Sequence, residues 1–196
     1  MNAPDDVRAR NRNRLLLIGI FALFFGSMLV AGVLRFSGWR PAGTKNHGQL
    51  LDPPGDLRKQ VPRLVGGGEY AWNPVARTWR ILVPAPRQCA IDCEQVLGEI
   101  DTVWQLMGKD ADEVDVLWLC DTDDCDLPAG TPRPATLRRL QPHPAMRAEL
   151  LRLEQGSAPG LPAYIIDPNG FVILRYAPGF DPAGLRSDLA KLVKLK

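Results

Sequence analysis

Residues 78–107 read TWRILVPAPRQCAIDCEQVLGEIDTVWQLM and combine two patterns that follow one another directly. Thr78–Val83 is a short run rich in β-branched and aromatic side chains, which predicts a strand. After two prolines, apolar side chains recur every three to four residues over 92–107, which predicts an amphipathic helix. The chain therefore passes from a strand into a helix close to the cysteine pair Cys89 and Cys93.

The remaining apolar runs complete an α/β pattern. Further strands are predicted at Glu69–Trp72, Val114–Leu119, Ala163–Ile166 and Phe171–Tyr176. The first of these is expected to form a hairpin with Thr78–Val83. Residues 137–154 predict a helix broken at His143-Pro144, and Asp181-Pro182 begins a last helix as N-cap and first residue. The leading strand, helix and strand form a βαβ unit, so part of the sheet is expected to be parallel.

The charge balance limits the classes of partner. The chain has 24 basic and 22 acidic residues, and its first 14 residues hold four of the former and two of the latter. The rest of the chain is therefore neutral, which argues against nucleic-acid binding, because phosphate contacts need a basic surface. A hydrophobic content of 45% argues against a disordered chain.

An uncharged segment lies near the N-terminus, where residues 15–34 read LLLIGIFALFFGSMLVAGVL. Twenty residues in a helix rise about 30 Å, which matches the hydrocarbon thickness of a bilayer, so a transmembrane helix is predicted. A cleaved signal peptide is the alternative. We favour an uncleaved anchor, because the apolar region of a signal peptide usually spans only about 7–15 residues.

The charges that flank the apolar segment predict its orientation across the membrane. Four arginines precede the apolar segment and three basic residues follow it within ten positions or so, which favours a cytoplasmic tail over residues 1–14. The body then lies outside the inner (cell) membrane, in a periplasmic space. Residues 35–68 are rich in glycine and proline and are interpreted as a linker and lead-in, and 69–196 as one folded domain.

The position and spacing of Cys89 and Cys93 indicate a reactive thiol or a binding site for a soft metal ion. A helix N-terminus carries partial positive charge, which lowers the pKa of a thiol and favours the reactive thiolate. A spacing of four residues brings the two Cβ atoms to about 5–6 Å on one side of a helix, close enough to share a soft metal ion. A relaxed disulfide needs about 3.8 Å, so a bond between the two would require the first turn to unwind.

The order of these features resembles a thioredoxin-like fold, and in particular the SCO/SenC family of cytochrome c oxidase assembly proteins. The resemblance rests on the membrane anchor, the Cys-x-x-x-Cys motif, the hairpin containing YIIDPNG (164–170) and the closing helix. It implies an α/β thioredoxin-like domain that carries Cu(I) to the oxidase or exchanges disulfides with a copper-site subunit or another assembly factor. Cys89 would be the nucleophile and Cys93 the resolving thiol.

Two further implications concern single residues. Pro162 stands where thioredoxin-like proteins hold a cis-proline beside the active cysteines, although an ordinary proline at a strand entry is the alternative. The family's third copper ligand is a histidine ahead of the hairpin, and residues 157–162 contain none. His143, Cys120, Cys125 or a partner protein could replace it. A general thiol–disulfide oxidoreductase without copper and a non-catalytic interaction module therefore remain alternative functions.

A second pair of cysteines, Cys120 and Cys125, flanks an acidic loop after a predicted strand. The simplest interpretation is a short structural disulfide. A resolving or metal-binding role alongside the first pair is the alternative.

Overall fold

The protein is described by a computed structural model that covers residues 3–38, 45–88, 91–123, 125–127, 130–154 and 160–195. The chain divides into two compact units, Met1–Thr44 and Lys45–Lys196.

The first unit contains one long helix, α1 (Ala3–Phe36). Within it, Arg10–Phe36 is long and apolar enough to cross a membrane, and none of it is buried against protein. The predicted span, 15–34, lies inside this segment, and the helix also extends back through residues that we predicted as a polar tail. Twenty-seven residues rise about 40 Å, which exceeds a hydrocarbon core of about 30 Å by the depth of the headgroups.

The second unit is a six-stranded mixed sheet with three helices. Its elements in chain order are β1 (Gln49–Asp56), β2 (Trp79–Pro84), α2 (Ile91–Leu106), β3 (Val114–Leu119), β4 (Leu137–Leu140), α3 (Pro144–Leu153), β5 (Ala163–Ile166), β6 (Phe171–Tyr176) and α4 (Pro182–Leu192). The strand order is β1-β6-β5-β2-β3-β4, with β2, β3 and β4 parallel and the other pairs antiparallel. The predicted parallel βαβ unit, β2-α2-β3, is present.

The sheet is covered on both faces. This is shown by β2, whose successive side chains point alternately into two different apolar clusters. Ile81 and Val83 belong to an apolar cluster that includes residues of α2 and α4, whereas Leu82 belongs to a second cluster with residues of α3 and β1. Helices α2 and α4 therefore pack on one face and α3 on the other. Three layers with a buried central sheet confirm the predicted α/β class.

The linker predicted over 35–68 is wrong from Lys45 onward, because β1 lies there as an edge strand beside β6. Pro53 and Pro54 hide the strand pattern, and an edge strand tolerates them because its outer N–H groups need no partner in the sheet. Gly55 is required by close packing, since a Cβ atom there would lie 2.6 Å from the Leu153 side chain. The folded unit accordingly begins at Lys45 and not at residue 69.

Two other expected elements differ from the structure. Glu69–Trp72 makes no hairpin with β2; Trp72 instead donates its indole N–H to the carbonyl oxygens of Leu57 and Gln60 and is held by that loop. The first part of 137–154 is strand β4, paired in parallel with β3, and only the part after His143 is a helix. Both errors arise because partners distant in sequence determine the local conformation.

Candidate functional site

The candidate site lies where β2 ends, beside the end of the parallel strand β3. Pro84 is level with Leu119, and the Ala85 N–H donates to the Leu119 carbonyl oxygen over 2.8 Å, which continues the ladder by one bond. The chain then leaves the sheet through 86–88 and enters α2. The carboxyl ends of parallel strands are where α/β proteins usually bind their ligands.

Cys93 lies in the first turn of α2 and its side chain points into the core. It is fully buried in the same apolar cluster as Val96, Leu97 and Ile100, which follow it at helical spacing. Cys93 is disulfide-bonded, so it is not a free thiol. Cys89, the predicted nucleophile, lies outside the described residues, as does the residue that precedes Ile91.

The loop before α2 is held by an ion triad that sequence analysis missed. Arg147 on α3 donates to the carbonyl oxygens of Ala85 and Leu119, over 2.9 and 3.3 Å. Its Nε lies 3.1 Å from Asp121 Oδ1, and Arg87 Nε donates to Asp121 Oδ2 over 2.9 Å. Two guanidinium groups thus share one carboxylate. The triad therefore carries one net positive charge beside this loop.

The same end of the sheet contains an open cleft of about 570 Å³. Part of its lining comes from Arg147, Leu150 and Leu151 of α3 and from Glu154, which directly follows this helix. The other lining residues are 84–86, 160–162, 164 and 178. The cleft is therefore bordered by the chain that leads to the cysteine motif and by the chain that enters β5.

A second polar group lies at the Glu154 end of the cleft. Arg175 Nη2 donates to Glu154 over 2.9 Å, and the Tyr164 hydroxyl also donates to this carboxylate. Burial by itself would raise the pKa of Glu154, but the hydrogen bonds from Arg175 and Tyr164 lower it. Glu154 therefore stays ionised near neutral pH and is already paired.

Pro162 lines the cleft, but the prediction of a cis peptide bond before it is wrong. Among the described residues the cis peptide bond is Asp52–Pro53, and the Leu161–Pro162 bond is trans. The trans form is favoured for X–Pro by about 0.5–1 kcal/mol, and the Leu161–Pro162 bond has this favoured form. Pro162 keeps its predicted position at the entry to β5, beside the cleft.

His143 has a structural task at the start of α3. Its Nδ1 accepts a hydrogen bond from the Met146 N–H over 3.2 Å, as an N-cap does. Helix α3 also packs on the opposite face of the sheet from α2. Within the described ranges, no three His, Cys, Asp or Glu side chains come together as a metal site.

Cys120 and Cys125 are joined by a disulfide with a Cα–Cα distance of 5.7 Å. Cys120 directly follows β3 and is fully buried, whereas Cys125 is partly exposed. The second pair therefore lies at the same end of the sheet as the predicted cysteine motif.

A family of known proteins shares this architecture. The family model described as "Transmembrane-like, thioredoxin-like, C-terminal domain" matches residues 79–196, which is more than half of the chain. The chain belongs to this family. The thioredoxin-like fold predicted from the sequence is thereby confirmed, and together with α1 the match indicates a single-pass membrane protein. No curated protein shows significant sequence similarity to this thioredoxin-like chain.

Solved structures with the same fold include members of the Sco family. BsSco, a member of the Sco family of cytochrome c oxidase assembly proteins, has a TM-score of 0.54 at 12% identity, covering 81% of this chain and 100% of its own. A SCO1/SenC family lipoprotein from Bacillus anthracis has a TM-score of 0.52 at 14% identity, covering 72% and 98%. Yeast Sco1 with copper bound has a TM-score of 0.51 at 15% identity, covering 79% and 96%. The resemblance to SCO/SenC proteins is confirmed as a likeness of fold.

Proposed function

We propose that this thioredoxin-like domain assists cytochrome c oxidase assembly by thiol–disulfide exchange or Cu(I) transfer through Cys89 and Cys93. The observation that carries the proposal is the disulfide-bonded Cys93 in the first turn of α2, directly after the β2 exit. Cys120 and Cys125 bond one another, so neither of them is the partner of Cys93.

The chemistry of exchange follows from these two positions. Cys93 is fully buried, so a client thiol reaches Cys89 first, forms a mixed disulfide there and releases Cys93 as a thiol. In the reverse direction, Cys89 attacks a client disulfide and Cys93 resolves the intermediate. The N-terminal end of α2 favours the thiolate form of Cys89.

The cleft of about 570 Å³ is the proposed contact surface for the client. Its walls are apolar at Leu150 and Leu161 and positively charged at Arg147, and it adjoins the residues that lead to Cys89. An extended client segment with its cysteine at the Pro86 end would bring that cysteine to the motif. Pro162 would contact this segment and position it, without taking part in bond exchange.

Copper is the cargo of the domain in this proposal. Yeast Sco1 binds copper, and two thiolates from Cys89 and Cys93 suit Cu(I), because soft sulfur ligands select it. His143 is engaged as a helix cap, because its Nδ1 accepts a hydrogen bond from the Met146 N–H. The third ligand is therefore supplied by the client, a copper-site subunit or another assembly factor.

The proposed location is the inner membrane, with a cytoplasmic N-terminal tail and a periplasmic domain. It is supported by the excess of arginine before the apolar segment and by cysteines that suit an oxidising compartment. A fusion of an alkaline phosphatase reporter to the C-terminus should be active, and a reporter that needs the cytoplasm should be inactive there. The reverse pattern would overturn this orientation.

The test of thiol exchange uses the full chain in detergent. Wild-type protein, Cys89→Ser and Cys93→Ser are incubated with oxidised glutathione after reduction, and mixed disulfides are identified by mass spectrometry. We expect a stable glutathione adduct on Cys89 in Cys93→Ser, and no adduct on Cys93 in Cys89→Ser. If Cys89 forms no adduct in Cys93→Ser, the exchange function is wrong and an interaction module is favoured.

A Cu(I) titration separates copper transfer from general thiol exchange. Reduced full-length protein competes with a chromogenic Cu(I) chelator, and we expect one equivalent bound, lost in Cys89→Ser and unchanged in the control His143→Ala. If the wild type does not compete while Cys89 still exchanges with glutathione, the general oxidoreductase is the correct alternative. A loss in His143→Ala would mean that the histidine is a ligand after all.

A further inference from the structure

A groove of about 190 Å³ lies where the chain enters the folded unit, away from the cysteine motif in the sequence. Its lining combines basic and apolar side chains: Lys45, Lys191, Leu50, Ile173, Leu174 and Leu192. We call these residues, together with Lys194 and Leu195, the basic–apolar patch. Among the described residues that line the groove, the acidic one is Asp188, whose side chain is 2% exposed and already accepts several hydrogen bonds.

The end of α4 extends this patch. The N–H groups of Lys194 and Leu195 donate to the carbonyl oxygens of Lys191 and Leu192, over 3.2 and 2.9 Å, so the chain keeps winding after the helix. A spacing of three residues makes Lys194 a neighbour of Lys191, and Leu195 a neighbour of Leu192. Leu50 and Leu195 are 51% and 74% exposed, so the patch presents large apolar side chains as well as ammonium groups.

The ammonium group of Lys191 joins the two parts of the patch. It donates to the Lys45 carbonyl oxygen and to Asp188 Oδ1, over 3.0 and 3.1 Å. Its side chain is still 53% exposed, and an ammonium has three donors, so one remains for an acceptor outside the protein. Lys45 and Lys194 are exposed as well. The three lysines exceed the charge of Asp188, so the patch is positive.

The membrane is the partner that the position and chemistry of the patch favour. Lys45 stands nine positions after Phe36, the end of α1, and nine extended residues span at most about 32 Å. Such a short tether gives the patch a high effective concentration at the bilayer, so a weak attraction is enough for binding. Lysines attract anionic headgroups, and leucines beside them enter the boundary between headgroups and acyl chains.

We propose that the basic–apolar patch docks the domain on the anionic surface of the bilayer that holds its anchor. The lysines pair with lipid phosphates, and Leu50 and Leu195 insert among the headgroups. Docking does not depend on the cysteine chemistry proposed above. It restricts how the domain turns on its tether, and so limits the directions from which a membrane-bound client meets it.

The native lysines report docking without any substitution. Full-length protein in lipid nanodiscs is treated with an acetylating succinimidyl ester, and the acetylation rate of each lysine is measured by mass spectrometry. With about 30% phosphatidylglycerol we expect Lys191 and Lys194 to react at least about five times more slowly than with phosphatidylcholine alone. The exposed Lys59 is the internal control and should react equally in both lipids; its neighbour Leu57 packs in the apolar cluster on the other face of the sheet.

Two results of this measurement would overturn the proposal. The first is an equal acetylation rate of Lys191 and Lys194 in the two lipids. The second is the same protection in detergent micelles as in phosphatidylglycerol, which would mean that a second copy of the chain or another protein covers the patch.

Substitutions at the exposed end of the patch separate docking from the effect of the tether. In Lys194→Glu/Leu195→Asp we expect Lys191 in phosphatidylglycerol to regain the rate that it has in phosphatidylcholine, whereas the control Lys59→Glu keeps the protection. Salt near 1 M should remove most of the protection from the wild type, because the Debye length is then about 3 Å. If Lys191 stays as protected in the double variant as in the wild type, the tether alone holds it near lipid and the docking surface is wrong.

Discussion

Two carboxylates, Asp188 and Asp121, each hold a loop against a helix, and they do so in opposite ways. Asp188 on α4 is 2% exposed and is surrounded mainly by neutral donors. It accepts hydrogen bonds from the N–H groups of His47 and Gly48, the Tyr176 hydroxyl and Lys191 Nζ. These bonds attach the segment just before β1, where the folded unit begins, to its last helix.

Asp121 holds the loop before the cysteine motif through two guanidinium groups. Its side chain is 20% exposed, and its partners are Arg87, which is 81% exposed, and Arg147. Exposed ion pairs contribute little to stability because water and salt screen them, whereas a buried carboxylate leaves several unsatisfied donors when it is removed. We call each carboxylate with its hydrogen-bond partners a joint. The joint at Asp188 is therefore expected to determine the free energy of unfolding, and the joint at Asp121 to adjust the reactivity of the cysteine site.

The largest effect is expected for Asp188→Ala. The variant leaves two backbone N–H groups and the buried Tyr176 hydroxyl without their acceptor, so the free energy of unfolding should fall by about 2–4 kcal/mol. Urea unfolding of the full chain in detergent, followed by tryptophan fluorescence, measures it. The control Lys191→Ala removes an exposed partner of the same carboxylate and should cost less than about 1 kcal/mol. Equal losses in the two variants would contradict the assignment.

The pH dependence of stability provides the second test. Burial alone would raise the pKa of Asp188, but hydrogen bonds from Gly48, Tyr176, His47 and Lys191 lower it from 3.8 to about 2. The contribution of this group is therefore complete above the unfolded pKa near 4 and is lost as the pH falls toward 2, by about 2 kcal/mol. We expect the wild-type advantage over Asp188→Asn to shrink between pH 5 and pH 2. A constant difference over that range would show that the carboxylate charge is not involved.

A smaller effect is expected for Asp181→Ala, on the same helix. Asp181 caps α4 by accepting from the N–H groups of Ala183 and Gly184, over 3.0 and 3.1 Å. Loss of an N-cap costs about 1 kcal/mol, because water replaces the cap at an exposed helix end. Urea midpoints should therefore rank Asp188→Ala below Asp181→Ala and both below the wild type. The reverse ranking would mean that the Lys45–Gly48 attachment is not a main source of stability.

How far apart in the chain the interacting residues lie explains what could be predicted from the sequence. The N-cap at Asp181, strand β3, the hairpin of β5 and β6 and most of α2 follow from patterns contained within each segment, and the structure has all of them. The joint at Asp188 could not be predicted, because its donors at His47 and Gly48 are about 140 positions away in the chain.

At the site, the cysteine motif is visible in the sequence because spacing alone indicates its chemistry. The triad of Arg87, Asp121 and Arg147 is not, because it depends on the parallel register of β2 and β3 and on the placement of α3. Its one local signal is that Asp121 directly follows a strand that ends at the carboxyl edge of the sheet. The other acidic residues of the same loop hide that signal, because the sequence does not distinguish Asp121 from them.

The smallest effect on stability is expected for Asp121→Asn, which should cost less than about 1 kcal/mol. Its effect should appear in reactivity, because removing the carboxylate leaves Arg87 and Arg147 unbalanced beside the loop that leads to Cys89, and positive charge favours the thiolate. We expect reduced full-length protein to react with iodoacetamide at Cys89 about two to five times faster at low salt, and the gain to vanish near 1 M salt, where the Debye length is about 3 Å. Asp126→Asn is the matched control, since it makes the same charge change in the same loop on a carboxylate that is 88% exposed and paired with Arg139. If both variants accelerate the reaction equally, net charge and not the triad is responsible, and the distinction between the two joints is lost.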